Sequence, residues 1–233
     1  MQSSLLVPLV PHEIHIWVVN LSITSEEEKQ QATILSSDEI QRAKQFRFSV
    51  HKRRFIAARS RLRNTLAHYL KLAPDDLVFA YTEFKKPYLS NIYNSAIQFN
   101  LAHSHDIAVL AITLEHAIGV DIEKIQQNYS LAVAERYFSP SEYTSLCQLP
   151  QHDQTEAFFR LWTRKEAVIK AVGKGLSIPL SSFTVSSQNQ PEVIEIENQS
   201  LTLQSLDIHP EYQSALASNQ PIKEVKIFWI GYD

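Results

Sequence analysis

Glycine is scarce in this chain of 233 residues. Only four are present, Gly119, Gly173, Gly175 and Gly231, whereas average usage is about 7%. Phosphate-binding loops of the P-loop and dinucleotide types need several closely spaced glycines, because their backbone N–H groups must approach the phosphate. Gly173 and Gly175 alone lie near each other, so neither loop type is expected. A phosphorylated ligand would have to be held by side chains.

Cysteine and long apolar runs are scarce too. Cys147 is the sole cysteine, which excludes an intrachain disulfide and favours a reducing, cytoplasmic setting. The first 13 residues, MQSSLLVPLVPHE, lack a basic start, and prolines at positions 8 and 11 interrupt their apolar stretch. They predict neither a signal peptide nor a membrane span. With 22 basic and 25 acidic residues, the net charge of −3 shows no global preference for a polyanion.

Strand and helix patterns alternate along the whole chain. The patterns predict one helix over residues 51–71, a second that begins at Ser139, and a third that begins at Asp153 and ends at Gly173. They predict strands over residues 15–20, 77–81, 97–101, 107–113, 118–122, 183–185, 193–197, 201–206, 212–217 and 225–230. The predicted class is α+β of the α/β type, divided into two comparable α/β halves, residues 1–110 and 111–233. Residues 107–113 and 118–122 predict an antiparallel hairpin around residues 114–117.

Two acidic residues alternate with apolar ones on the strand from Gly119 to Glu123. Residues two apart on a strand face the same side, so Asp121 and Glu123 share a face. Two carboxylates on one rigid face can converge on a hard cation, Mg²⁺ being the obvious candidate. The alternative is the solvated face of an amphipathic strand, which spacing alone favours because such alternation is common.

A second pattern lies on the long helix before Gly173. Trp162, Glu166 and Lys170 follow one another at i, i+4 spacing, so they share one helix face. A tryptophan beside an acid and a base on one stripe suggests a functional site. An ordinary surface ion pair beside a core tryptophan explains the same spacing.

Basic residues are concentrated between positions 42 and 63. This stretch carries nine Lys and Arg residues and no acid, and Lys85 and Lys86 follow downstream. It favours an anion, either phosphate or an acidic protein surface, and leaves a nucleic-acid-binding module as an alternative. His103 and His105 at the end of a predicted strand could bind metal, but without a cysteine cluster a zinc site is not expected.

Taken together, these segments resemble the 4′-phosphopantetheinyl transferases of the Sfp type. The motifs that carry the likeness are Phe99-Asn100-Leu101-Ala102-His103-Ser104, Gly119–Glu123, Phe138-Ser139-Pro140-Ser141-Glu142, and Trp162–Lys170 followed by Gly173-Lys174-Gly175-Leu176. The form with Trp162 and Lys165-Glu166-Ala167 is closer to the branch common in cyanobacteria. Ala102 departs from the family, which usually has serine there, so one hydroxyl contact to the ligand is absent.

The resemblance implies an enzyme that moves the phosphopantetheine arm of coenzyme A onto a serine of an apo acyl or peptidyl carrier protein and releases 3′,5′-ADP. It implies a pseudo-twofold pair of α/β halves with the active site between them, in a monomer that binds neither nucleic acid nor membrane. Mg²⁺, with Mn²⁺ as an alternative ion, would be the metal. The implied metal ligands are Asp121, Glu123 and Glu166; the catalytic residues are Glu166 and Lys170; the residues that hold coenzyme A are Lys44, Arg54, Lys86, His103 and Asp121. A carrier-binding relative without catalysis is a further alternative, which the intact acidic residues disfavour.

Overall fold

The computed structural model describes residues 7–127 and 129–232. Within them the chain forms six α-helices and ten β-strands. The helices are α1 Ser25–Ala32, α2 Ser37–Lys44, α3 Ser49–Leu70, α4 Leu131–Tyr137, α5 Pro140–Gln148 and α6 Gln151–Val172. The strands are β1 Glu13–Asn20, β2 Phe79–Tyr81, β3 Pro87–Leu89, β4 Ile97–Ser104, β5 Ile107–Leu114, β6 Ile118–Lys124, β7 Glu192–Ile196, β8 Gln199–Ser205, β9 Tyr212–Ser218 and β10 Glu224–Ile230.

Two four-stranded sheets, each covered by one 22-residue helix, make up most of the fold. The first has strand order β10-β1-β5-β4 and the second β6-β9-β8-β7, while β2 and β3 form a separate hairpin. Helix α3 packs through Leu62 and Leu66 on the first sheet, and α6 packs through Val168 and Ala171 on the second. This arrangement confirms the predicted α+β class with two similar α/β halves.

The two sheets pack against each other through the faces that their helices leave free. Ile16 and Val109 from the first sheet contact Val120, Ile122 and Leu216 from the second in one buried cluster. The inner strands β1, β5 and β9 are therefore buried on both faces. Edge strands β4 and β6 come together at this interface.

The predicted hairpin of residues 107–113 with 118–122 is wrong. Strand β5 pairs with β4 across the turn at His105 and Asp106, and with β1 on its other side. All of β5 up to Thr113 is buried, and both of its edges are taken by these partners. The chain therefore leaves the first sheet through residues 115–117, and β6 pairs with β9 instead.

Several other elements depart from the sequence-based expectation. The polar stretch before Thr33 forms α1, whose N-terminus is closed by a reciprocal capping box of Thr24 and Glu27. The expected strand at residues 183–185 does not form, because the Val185 N–H donates to the Glu142 carboxylate. The predicted capping box at Ser139 and the helix end at Gly173, with φ of 83°, are confirmed.

The division near residue 110 stays a prediction. The chain changes sheet between β5 and β6, and β10 returns from the C-terminal half to lie parallel to β1 in the first sheet. Within the described part of the chain, none of the helices has the length and apolar character needed to span a membrane.

Candidate active site

Gly119 allows helix α6 to lie directly against strand β6. A Cβ atom at this position would fall 2.2 Å from the carbonyl oxygen of Ala167 and 2.3 Å from the amide nitrogen of Ala171. No side chain fits at such distances. Here glycine is required by the close approach of two backbones.

The alternation of β6 then turns its acidic residues towards α6. Val120 and Ile122 are buried between the two sheets, so Asp121 and Glu123 lie on the opposite face of the strand. Asp121 is only 5% exposed and Glu123 is half-buried. The solvated-face alternative is therefore wrong for Asp121.

Lys170 on α6 is the direct partner of Asp121. Its Nζ lies 2.6 Å from Asp121 Oδ1 and 3.4 Å from the Val120 carbonyl oxygen. Burial alone would lower the pKa of Lys170, but the charge and hydrogen bond of Asp121, with smaller contributions from Glu166 and Glu123, raise it above its ordinary value. The lysine therefore stays charged beside the carboxylates.

The three carboxyl groups predicted as metal ligands all have raised pKa values. Burial, followed by the charges of Asp121 and Glu123, raises the pKa of Glu166 to about 7, with Lys170 opposing. Burial also raises the pKa of Asp121, and burial together with Asp121 raises that of Glu123. Like charges that disfavour one another's ionised form create a site where a cation is favourable.

The fit to a metal ion can be tested on the oxygen atoms themselves. Asp121 Oδ2 is buried and has no hydrogen-bond partner among the described residues, so it is free to ligate. Over residues 7–127 and 129–232, however, no three His, Cys, Asp or Glu side chains are gathered closely enough to hold a metal ion by themselves. The donor set fits Mg²⁺, which takes a few carboxylate oxygens and completes its shell with water and substrate phosphate.

Two residues outside the predicted site connect β4 to β6. The Val120 N–H donates to Asn100 Oδ1 at 2.9 Å, and the Lys124 N–H donates to Ser104 Oγ at 3.1 Å. Ser104 Oγ also lies 2.8 Å from Glu123 Oε2. Neither role was predicted from the sequence. Asn100, Ala102 and Ser104 nevertheless alternate along β4, and this spacing indicates that all three side chains lie on one face of the strand.

A cleft of about 310 Å³ beside Glu123 contains two of the residues predicted to hold coenzyme A. His103 and Arg54 line it together with His51. Burial, followed by the positive charges of Lys170 and Arg54, lowers the pKa of His103. Arg54 Nε donates to Asp106 Oδ1 at 2.8 Å, which holds the guanidinium at the rim of the cleft. These residues suit an anionic group next to the carboxylates.

The other two basic residues predicted for coenzyme A lie elsewhere. Lys44 is exposed at the end of α2 and does not line this cleft. Lys86 Nζ donates to the carbonyl oxygens of Ile118 at 3.0 Å and Lys170 at 2.6 Å, and burial lowers its pKa to about 8. The ammonium of Lys86 thus joins the β2–β3 hairpin to the end of α6, at the rim of a separate cleft of about 660 Å³.

Some motif residues act in packing. Lys165 is fully buried, pairs with Glu142 at 2.8 Å and donates to the carbonyl oxygens of Leu180 and Phe183. Trp162 is partly buried and stacks on Phe158, which belongs to the core of the second half. Lys165 and Glu142 hold α5, α6 and the segment after Pro179 together.

The basic stretch does not form one continuous binding face. Arg59 and Arg63 are buried and pair with Glu39 at 2.5 and 2.6 Å. Arg63 also donates to the carbonyl oxygens of Pro74 and Leu77. These two arginines are not available to nucleic acid, which removes part of the support for that alternative.

Comparisons with known proteins identify the family of this chain. A model of the 4′-phosphopantetheinyl transferase superfamily matches residues 117–222, and one of the N-terminal part of 4′-phosphopantetheinyl transferases matches residues 22–115. The 4′-phosphopantetheinyl transferase HetI of Nostoc sp. is 39% identical over 171 residues, 72% of each chain. The chain belongs to the 4′-phosphopantetheinyl transferases.

Two further relatives match longer and shorter parts of the chain. The 4′-phosphopantetheinyl transferase Sfp of Bacillus subtilis is 28% identical over 214 residues, 91% of this chain and 94% of its own. The putative 4′-phosphopantetheinyl transferase slr0495 of Synechocystis sp. is 37% identical over 145 residues, 62% of this chain and 59% of its own. The expected likeness to the Sfp type and its cyanobacterial branch is confirmed.

As a 4′-phosphopantetheinyl transferase, the chain is an enzyme that transfers phosphopantetheine from coenzyme A to carrier proteins. The two matched segments adjoin at residue 116, in the connection where the chain passes from the first sheet to the second. Arg54 and His103 lie in one matched segment, and Asp121, Glu166 and Lys170 in the other. The candidate site thus draws on both halves.

Proposed function

We propose that this transferase moves the 4′-phosphopantetheine arm of coenzyme A to a serine of an apo acyl or peptidyl carrier protein in a Mg²⁺-dependent reaction, releases 3′,5′-ADP, and acts as a cytoplasmic monomer. The observation that carries the proposal is the ion pair of Lys170 with the buried Asp121 between α6 and β6, to which Glu123 and Glu166 are coupled by their charges. The basic cleft of His103 and Arg54 adjoins it.

Asp121, Glu123 and Glu166 would hold Mg²⁺, or Mn²⁺ in its place. The unpartnered Oδ2 of Asp121 and the mutual repulsion of the carboxylates support this assignment. When bound, the metal supplies charge neutralisation and orientation at the pyrophosphate of coenzyme A. His103 and Arg54 would hold the nucleotide phosphates through charge-assisted hydrogen bonds, with Lys44 and Lys86 as further candidates.

Glu166 is the proposed general base. Without metal, burial and the neighbouring acids raise the pKa of Glu166 to about 7, and a bound cation would lower it, so that the ionised carboxylate is available to accept a proton. The carboxylate takes the proton of the carrier serine while the serine oxygen bonds to the phosphorus that bears the pantetheine. The bond between that phosphorus and the bridging oxygen breaks, and 3′,5′-ADP leaves with the electron pair.

Lys170 is the proposed partner of the departing phosphate. Its ammonium is charged, partly exposed and held at Asp121 Oδ1, 2.6 Å away. From there it can neutralise the negative charge that develops on the bridging oxygen. The Asp121 contact keeps the long side chain ordered, so less entropy is lost when substrate binds.

A carrier panel tests the proposal. Apo acyl and peptidyl carriers are incubated with the enzyme, coenzyme A and Mg²⁺. We expect intact mass spectrometry to show one phosphopantetheine added to each modified carrier, and chromatography to show an equal amount of 3′,5′-ADP. Glu166→Gln should lower kcat by about 100-fold or more, since general-base catalysis contributes 10²–10⁴-fold. Glu156→Gln, an exposed acid on the same helix, is the matched control. Transfer that continues unchanged in EDTA, or in Glu166→Gln, contradicts the proposal.

A further inference from the structure

Strands β4 and β6 lie side by side without a ladder of backbone hydrogen bonds. Each is an edge strand of its own sheet, and side chains of β4 take the place of the missing carbonyl groups. Asn100 Oδ1 accepts from Val120 N and, four residues further along both strands, Ser104 Oγ accepts from Lys124 N. Ala102, between them, contributes only a methyl group to the interface core.

Ser104 differs from Asn100 because it also reaches a carboxylate. Its oxygen already accepts the Lys124 N–H, so its own hydrogen is available as a donor. Glu123 Oε2 lies 2.8 Å away, whereas the other neighbour, His105 Nδ1, lies at 3.4 Å. The shorter contact to the carboxylate is the stronger one. Ser104 is buried, which limits competition from water.

The two acidic residues of β6 are thus held by different means. Asp121 is fixed from α6 through Lys170, and Glu123 is fixed from β4 through Ser104. A glutamate has three rotatable bonds, so without such a contact its carboxylate would be spread over several rotamers. The hydroxyl ties Glu123 to the strand that carries His103 at the neighbouring position.

We propose that Ser104 is a positioning residue of the transfer reaction, which holds the Glu123 carboxylate towards the metal position and couples it to the first half of the protein. The inference rests on the proposed function, in which Glu123 is a metal ligand. Groups that hydrogen-bond to metal ligands commonly contribute 10- to 100-fold to metal affinity or activity when removed.

The test measures Mn²⁺ binding to the metal-free enzyme by electron paramagnetic resonance, alongside kcat on an apo carrier. We expect Ser104→Ala to weaken Mn²⁺ binding by about tenfold or more and to lower kcat by a similar factor. Ser104→Thr keeps the hydroxyl, so it should retain most of the Mn²⁺ affinity and most of kcat. Ser218→Ala is the matched control, because Ser218 is a buried serine whose hydroxyl donates to Ala117 O and accepts from Gln220 N. Should Ser104→Ala fail to fold, Ser104→Cys, of similar volume but with a weak donor, replaces it with the same expectation.

Four outcomes decide the matter. Wild-type Mn²⁺ affinity and turnover in Ser104→Ala, or in Ser104→Cys where that variant replaces it, overturn the inference, as does an equal loss in Ser218→Ala. Loss in Glu123→Gln with no loss in the tested Ser104 variant leaves the proposed function standing and rejects only the role of Ser104. Wild-type affinity and turnover in Glu123→Gln itself overturn both the role of Ser104 and the assignment of Glu123 as a metal ligand, whereas the transfer reaction keeps its own test in the carrier panel.

Discussion

The ammonium of Lys170 and the carboxylate of Asp121 form a 2.6 Å ion pair between α6 and β6, with Asp121 almost fully buried. The pair leaves Asp121 Oδ2 without a partner among the described residues. One oxygen of this aspartate thus serves the fold, and the other is available to a ligand. The Asp121 side chain therefore joins α6 to β6 and is also a proposed metal ligand.

Removal of Lys170 tests how much this pair stabilises the fold. Lys170→Met leaves the buried carboxylate of Asp121 without a counterion, and breaking a buried pair in this way costs about 3 kcal/mol. We expect that loss in the free energy of unfolding, measured in urea without metal. Adding Asp121→Asn to Lys170→Met should recover part of it. Strictly additive losses in the double variant would show that the two residues are not coupled.

Glu166 makes the metal-free protein less stable at higher pH. Its folded pKa of about 7 lies above the ordinary value of 4.5, so the folded state holds the proton more tightly than the unfolded state. The stability that it contributes is complete below pH 4.5 and is lost as pH rises through about 7. Asp121 and Glu123, whose pKa values are also raised, act in the same direction.

We therefore expect Glu166→Gln to raise the urea midpoint at pH 8 relative to wild type and to reduce the difference between pH 5.5 and pH 8. Both measurements are made in EDTA, and Glu156→Gln should follow the wild-type profile. An identical pH profile for Glu166→Gln and wild type would mean that Glu166 ionises as freely in the folded protein as in water.

The elements that sequence predicted well are those specified by local chemistry. The capping box of Ser139 and Glu142 and the left-handed Gly173 act over a few residues, so their meaning does not depend on the rest of the fold. Strand pairing does depend on it. The run from residue 107 to 113 is apolar at nearly every position, which fits a central strand with two partners. Nothing in the local sequence identifies β4 and β1 as those partners.

The site shows the same limit. The alternation of Asp121 and Glu123 looks alike on a solvated strand and on one that faces a helix, and only the absence of a side chain at Gly119 distinguishes them. The family resemblance implies that Lys86 holds coenzyme A. Its contacts to Ile118 O and Lys170 O depend on where the β2–β3 hairpin packs, which sequence spacing does not reveal.

Lys86 should contribute to stability through those two contacts. In Lys86→Met, the carbonyl groups of Ile118 and Lys170 lose their donor, and we expect a loss of about 1–3 kcal/mol in unfolding free energy. Lys85→Met removes the exposed neighbouring charge and should change stability by less than about 0.5 kcal/mol. Unchanged stability in Lys86→Met, together with a raised KM for coenzyme A, would instead show a residue that mainly binds substrate.

Gly119→Ala should disrupt fold and activity together. The added methyl group would meet backbone atoms of Ala167 and Ala171 at 2.2 and 2.3 Å, and helix backbone cannot move aside as a side chain can. Overpacking of this kind usually costs about 1–3 kcal/mol, and a clash with backbone places this variant at the upper end. Any displacement of α6 also separates Lys170 from Asp121, so transfer activity should fall even where the variant folds.

Gly175→Ala is the control, because a Cβ there meets open space and only the positive φ is unfavourable, at about 1 kcal/mol. Melting temperature and carrier transfer are measured on both, and wild-type values for Gly119→Ala would show that β6 and α6 have room between them.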